Sequence, residues 1–248
     1  MTVRREQLLL TASAGTMRTS LFAPDAMPLG AMVMFMDVFG IRPELFDLAR
    51  AYAQEGFAVY LPNLFYRAGD VSFPTPSGPD DRTDSQALRL NGETTLEMTA
   101  SDLPAIFAHA AATLPAGLCF AAIGYCMGGR HAIKALSAWP DTVRAAATIH
   151  GGRLVTSDAN SPHLLIAGLR SSAYFAFAAD DLACPQTHQS LITEAVAQAP
   201  VPHRIEHFAA RHGWSFPQRY CHDPAAASRV FTVTRSLFLQ ACGADNER

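Results

Sequence analysis

A chain of 248 residues with 49% apolar and 17% charged side chains can bury a large core, which excludes wholesale disorder. Its net charge of -3, with no basic stripe, excludes nucleic acid as an expected partner. No stretch approaches the ~20 apolar residues of a membrane span, and the opening MTVRREQLLLTASAG lacks the apolar core of a signal segment. A cytoplasmic protein without a membrane partner is the expectation.

In chain order, short apolar runs alternate with stretches of helical spacing. Residues 31–36 (AMVMFM) and 57–61 (FAVYL) read as buried strands around a helix over 44–55. Residues 73–84 (FPTPSGPDDRTD) are irregular and suit a surface loop near a site. A helix over 94–113 precedes a strand over 118–123 (LCFAAI), a helix over 127–138 and a strand over 145–149 (AAATI). A strand over 173–178 (AYFAFA), a helix over 185–199, a more polar strand over 203–208 (HRIEHF) and a helix over 224–241 complete the pattern. This alternation predicts an α/β fold, a mostly parallel central sheet with helices on its faces, in a single domain over residues 1–248.

Five cysteines at irregular spacing (Cys119, Cys126, Cys184, Cys221 and Cys242) include no C-x-x-C pair. Zinc and thioredoxin-type redox motifs are therefore not expected, and reduced thiols fit best, with Cys119 and Cys242 as core residues. His207 and His222 have no partners at metal-ligand spacing and read as surface or turn residues, so no metal is expected.

Cys126 lies in Gly124-Tyr125-Cys126-Met127-Gly128-Gly129, directly after an apolar strand and directly before a helix. That is the setting of a nucleophile elbow, where small flanking residues permit a turn too tight for side chains. The helix N-terminus favours a thiolate, whose parent thiol otherwise titrates near ~8.5. Elbow chemistry calls for an acid and then a histidine, each following a later strand. Asp181 follows the strand over 173–178 and His212 follows that over 203–208. Asp180 and Asp181 are also placed to cap the helix beginning near Pro185, and the two roles stay open at this point. His150, at a strand end before two glycines, either lines the pocket or serves the turn. Tyr125 is a pocket wall or a core residue; Trp214 and Phe216 form an apolar rim or anchor the histidine loop.

These residues give the chain a resemblance to the dienelactone hydrolase family of α/β-hydrolases. The match rests on the G-Y-C-M-G-G elbow, the turn from Asp181 to Pro185, and His212-Gly213 before Trp214 and Phe216. Met36-Asp37-Val38-Phe39-Gly40 and Pro62-Asn63-Leu64-Phe65-Tyr66-Arg67 add to it, so the resemblance spans most of the chain. It implies an α/β-hydrolase fold and a Cys126-His212-Asp181 triad acting on an ester or lactone without cofactor. It also implies an oxyanion hole made by the backbone N–H groups of Val38 and Met127. Two positions depart from the family pattern. Asp37 stands where members carry a glutamate that contacts the thiol, and Phe216 stands where they carry an arginine for the substrate carboxylate. A less charged ester or lactone is the expected substrate; Arg67, Arg82 and Arg211 are the other candidate anion contacts.

Two alternatives belong to other classes. One is a ligand-binding protein on the same fold whose thiol no longer turns over. The other is a thiol redox sensor with Cys184 resolving Cys126. The His and Asp after successive strands favour catalysis over both, because neither alternative needs an orienting acid.

Overall fold

The computed structural model describes residues 1–243. Eight strands form one sheet: β1 (Val3–Ala12), β2 (Gly15–Pro24), β3 (Gly30–Phe35), β4 (Phe57–Pro62), β5 (Phe120–Tyr125), β6 (Val143–Ile149), β7 (Ala173–Asp180) and β8 (Arg204–Arg211). Their spatial order is β1-β2-β4-β3-β5-β6-β7-β8. The β1-β2 hairpin and the β2-β4 pair are antiparallel, and every later pair is parallel. Strands β3, β4 and β5 are buried along their whole length, which their continuous apolar runs require.

Among the described residues lie seven α-helices, α1 (Pro43–Gln54), α2 (Ser85–Glu93), α3 (Leu96–Thr113), α4 (Met127–Ala138), α5 (Pro162–Ile166), α6 (Gln186–Ala197) and α7 (Pro224–Ala241), and one 3-10 turn, Tyr66–Ala68. The sheet grows in opposite directions through α1 (β3 to β4) and α4 (β5 to β6). Right-handed crossovers therefore place these two helices on opposite faces. On the α1 face, Tyr52 stacks on Phe231 of α7 at 4.7 Å and shares a 2.6 Å hydrogen bond with Thr234. On the α4 face, α3 packs beside α4, and Trp139 donates its indole N–H to Ala100 O at 3.1 Å.

The strands and long helices fall where the apolar patterns place them, within a few residues. The sequence reading lacks the β1-β2 hairpin, α2 and α5. β1 is largely exposed and carries Arg4, Arg5, Glu6 and Gln7, so it has no continuous apolar run to read. The segment over 73–84 is irregular, as expected, and its last residue, Asp84, caps α2 by accepting from Gln86 N and Ala87 N.

One expectation is overturned. Cys119 and Cys242 are joined as a disulfide, with Cα atoms 5.5 Å apart and a sequence separation of 123. Both are half-buried rather than core residues. Residue spacing could not reveal the pair, because it forms only when α7 docks beside the start of β5. The pairing also removes the cysteine count as an argument for a reducing compartment. A crosslink closing so long a loop restricts the unfolded chain, by ~2–4 kcal/mol in typical cases. Adding reductant, or replacing Cys242 by serine, is expected to lower the melting temperature by roughly 5–15 °C in calorimetry. An unchanged melting temperature would show that the bond contributes nothing to folding.

Candidate active site

Strand β5 delivers Cys126 into a turn that only small neighbours allow. A Cβ on Gly124 would lie 1.9 Å from Gly128 O, and one on Gly128 would lie 2.3 Å from Phe35 O at the end of β3. Both glycines are thus required by close approach of backbone to backbone. Cys126 itself has φ 51 and ψ -113, a conformation that costs a non-glycine residue about 1–3 kcal/mol. Hydrogen bonds hold it there: Cys126 N donates to Ile149 O at 3.1 Å, while Cys126 O accepts from Gly129 N and Gly152 N at 3.1 and 2.9 Å. The half-buried thiol sits at the start of α4, where the Met127 amide has no intrahelical acceptor.

Asp181 and His212 come together from the ends of β7 and β8. The buried Asp181 accepts from His212 Nδ1 through Oδ2 at 2.8 Å. Its Oδ1 accepts from Ala183 N and Cys184 N at 2.8 and 3.2 Å, which fixes the carboxylate within its own turn. Helix α6 starts at Pro185 as N-cap with no side-chain cap, so Asp181 does not cap it. The neighbouring Asp180 is exposed and pairs with Arg211 at 3.2 Å. Asp181 rather than Asp180 faces the histidine.

His212 Nε2 is buried and has no hydrogen-bond partner among the described residues. Burial alone would lower the imidazolium's pKa. The charge of a Cys126 thiolate, with the hydrogen bond to Asp181, outweighs that burial and holds His212 well above its ordinary value. Neither the Val38 nor the Met127 amide donates a hydrogen bond among the described residues, so both are open donors.

Asp37 is buried with both oxygens engaged. Oδ1 accepts from Arg42 Nη1 at 2.5 Å and Phe39 N at 3.0 Å. Oδ2 accepts from Arg42 Nη2 at 2.7 Å and Arg219 Nη2 at 2.8 Å. The Arg219 guanidinium lies over the rings of Phe39 and Phe216, at 4.4 and 5.2 Å, and is near enough to Cys126 for a thiolate charge to act on it. Arg42 and Arg219 escaped the sequence reading. The only signal was proximity in the chain, five residues after Asp37 and seven after His212, and no motif marks either.

The remaining candidates scatter. Trp214 and Phe216 are fully buried, so they anchor the histidine loop and form no rim. Tyr125 is buried against Phe216 at 5.3 Å. His150 is fully buried beside His212, with ring centroids 4.9 Å apart. Arg67 is bound to Asp102 and Ser13, and Arg211 to Asp180, so neither is a free anion contact. Arg82 is exposed. His207 is exposed on β8, and His222 bonds Trp214 O through Nδ1. Cys184 is buried, and burial followed by the charge of Asp181 pushes its thiol up to about 12, which makes it a poor resolving thiol. Among the described residues no His, Cys, Asp or Glu cluster is arranged to hold a metal, and no helix is long and apolar enough to cross a membrane.

Comparison with known proteins places the chain in a family. A family model described as "Dienelactone hydrolase family" matches residues 17–242. A carboxymethylenebutenolidase from Rhodococcus opacus is 29% identical over 114 residues, 46% of this chain and 41% of that protein. A second, from Pseudomonas sp. (strain P51), is 33% identical over 101 residues, 40% of this chain and 42% of that one. The aligned stretch thus spans about two fifths of each curated relative. Among solved structures, a putative dienelactone hydrolase from Klebsiella pneumoniae superposes with a TM-score of 0.84 at 21% identity, covering 97% of this chain and 100% of that one. A dienelactone hydrolase-like promiscuous phosphotriesterase, P91, from metagenomic libraries gives 0.77 at 19% identity, covering 97% and 99%. These likenesses show the α/β-hydrolase fold.

Proposed function

The chain belongs to the dienelactone hydrolase family, and from that premise we propose that it hydrolyses carboxylic esters or lactones through Cys126, His212 and Asp181. The observation that carries this reading is the 2.8 Å Asp181–His212 hydrogen bond beside a cysteine held at φ 51 on a strand-to-helix turn. A structural cysteine would need neither the strain nor the paired imidazole.

The chemistry follows from the positions. The Cys126 thiolate attacks the carbonyl carbon, and the carbonyl electrons move onto oxygen, which the Val38 and Met127 N–H groups receive. As the tetrahedral intermediate collapses, the C–O bond of the leaving group breaks and His212 Nε2 delivers its proton to the departing alkoxide. For a lactone the alkoxide stays tethered to the acyl group. His212 then takes a proton from water, which attacks the thioester, and the acid leaves as Sγ is expelled. Asp181 holds Nδ1–H throughout, so that Nε2 faces the reacting atoms.

Asp37 has a different part in this reading from a direct contact on the thiol. Its charge is matched by Arg42 and Arg219, and it holds the Arg219 guanidinium near Cys126, where a cation favours the thiolate. With both arginines tied to Asp37, and Glu44 also 3.3 Å from Arg42, this wall of the site carries little free positive charge. A neutral or weakly charged ester or lactone therefore fits better than a strongly anionic one.

Rapid-quench mixing with a short-chain aryl ester, followed by intact-mass and peptide analysis, tests the proposal. A transient adduct with the mass of the acyl group on the peptide containing Cys126 is expected, and it should decay as product acid forms. Turnover without any Cys126 adduct, or with an adduct at another residue, would remove Cys126 from the mechanism.

A further inference from the structure

His150 directly follows β6 with φ 39, a positive value uncommon outside glycine, and its N–H donates to Ala176 O at 2.8 Å. The segment around it clasps the nucleophile. Ile149 O accepts from Cys126 N on one side of His150, and Gly152 N donates to Cys126 O on the other. Its side chain reaches into the loop after β8. His150 Nε2 and Ser215 Oγ share a buried 2.8 Å hydrogen bond. The ring stands edge-on to His212 at 4.9 Å and to Trp214 at 4.8 Å, with interplanar angles of 63° and 74°.

We infer that His150 is a positioning residue for the reaction proposed above: it locks the loop carrying His212 to the backbone clasp around Cys126 and packs against the His212 ring. The proposal rests on that reading of Cys126 and His212 as nucleophile and proton carrier. Asp181 holds the His212 ring at one atom, which leaves the ring free to tilt about that bond. A second, rigid contact is needed to keep Nε2 directed toward the sulfur, since displacements of about 1 Å at a reacting group can cost 10²-fold in rate. His150 provides that contact through its ring and through the hydrogen bond to Ser215, three residues after His212.

Histidine suits the position in two ways. The buried Ser215 hydroxyl needs a polar partner, which an aromatic hydrocarbon ring would not supply. The ring must also stay neutral beside an imidazolium. Burial, with the positive charges of His212 and Arg219, keeps His150 well below its ordinary value. Tyr125 is a further titratable neighbour, whose ring lies 6.2 Å away and whose phenol burial holds well above its ordinary range. His150 thus adds no charge over the pH range in which His212 works.

His150→Phe, His150→Gln and Ser215→Ala, compared with wild type, test the inference by two readouts. The first is ester hydrolysis, and the second is the pH dependence of iodoacetamide alkylation at Cys126, which needs no substrate. His150→Phe is expected to lower kcat about 10- to 100-fold with KM within about twofold. It should also shift the alkylation profile to higher pH, because a misplaced imidazolium no longer supports the thiolate. Ser215→Ala should move both readouts in the same direction by less, and His150→Gln, which can still bond Ser215, should recover part of the loss. If His150→Phe does not fold, Ser215→Ala alone decides. A variant that melts lower but keeps wild-type kcat per folded molecule and an unmoved alkylation profile would make His150 a structural residue and overturn the inference. Failure of the underlying reading is distinguishable, since Cys126→Ala would then hydrolyse the ester like wild type.

Discussion

If the proposed hydrolysis through Cys126 holds, replacing it by alanine is expected to lower kcat/KM on a hydrolysed ester or lactone by roughly 10⁴-fold or more. In the proposed mechanism the thiol is the nucleophile, and alanine leaves His212 and the proposed Val38 and Met127 donors with no attacking sulfur. Folding should survive, because the half-buried sulfur contributes little packing and the turn is held by backbone hydrogen bonds to Ile149, Gly129 and Gly152. Cys126→Gly sharpens the test. Glycine removes the strain of φ 51, worth about 1–3 kcal/mol, at an entropic cost below about 1 kcal/mol. That variant should be as inactive as Cys126→Ala and melt a few degrees higher, roughly 2–4 °C per kcal/mol gained. Steady-state kinetics and calorimetry on the two variants check both halves. Activity within tenfold of wild type would place the nucleophile elsewhere, and a lower melting temperature for glycine would show that the turn is not strained.

The sequence was legible wherever the physics is local. A strand buried on both faces needs a continuous apolar run, and β3, β4 and β5 have one. The elbow was legible because backbone contacts at Gly124 and Gly128 admit no side chain, and the order Cys126, Asp181, His212 follows from where parallel strands end. What stayed hidden depends on residues meeting across the fold. The Cys119–Cys242 bond joins the start of β5 to the end of α7 and has no local mark. The β1-β2 hairpin lies at the sheet edge, where one face meets solvent and polar residues interrupt the pattern. Asp37 was visible as a departure from the family pattern, but its two arginine partners were not, since an arginine in sequence looks the same whether exposed or buried. Phe216 illustrates the point: it stands at a position where arginine was expected, and in the fold its ring supports Arg42 and Arg219 at 5.1 and 5.2 Å.

Asp181→Asn should cost nearly as much as losing the nucleophile, although it removes almost no volume. The asparagine Oδ1 can still accept from Ala183 N and Cys184 N, so the turn after β7 should keep its shape. The change falls on the other atom, where an amide N–H now meets His212 Nδ1. Two donors cannot face each other, so Nδ1 must give up its proton and act as acceptor. The remaining proton then sits on Nε2, in a neutral ring that can no longer take a proton from water on that side. A fall of about 10³- to 10⁴-fold in kcat with little change in KM is expected at neutral pH. The deficit should shrink as pH rises past ~8.5, where a thiol ionises without help from an imidazolium. Stability should follow the opposite course. His212 is held above its ordinary value partly by Asp181, so the pair's contribution is complete below the unfolded value near ~6.5 and fades as pH rises through the raised folded value. The melting-temperature gap between wild type and Asp181→Asn should therefore be wider at pH 6 than in alkaline buffer, as long as the carboxylate stays ionised. A gap that does not vary with pH, together with a rate loss below tenfold, would mean that the 2.8 Å contact holds the fold and does not orient a catalytic imidazole.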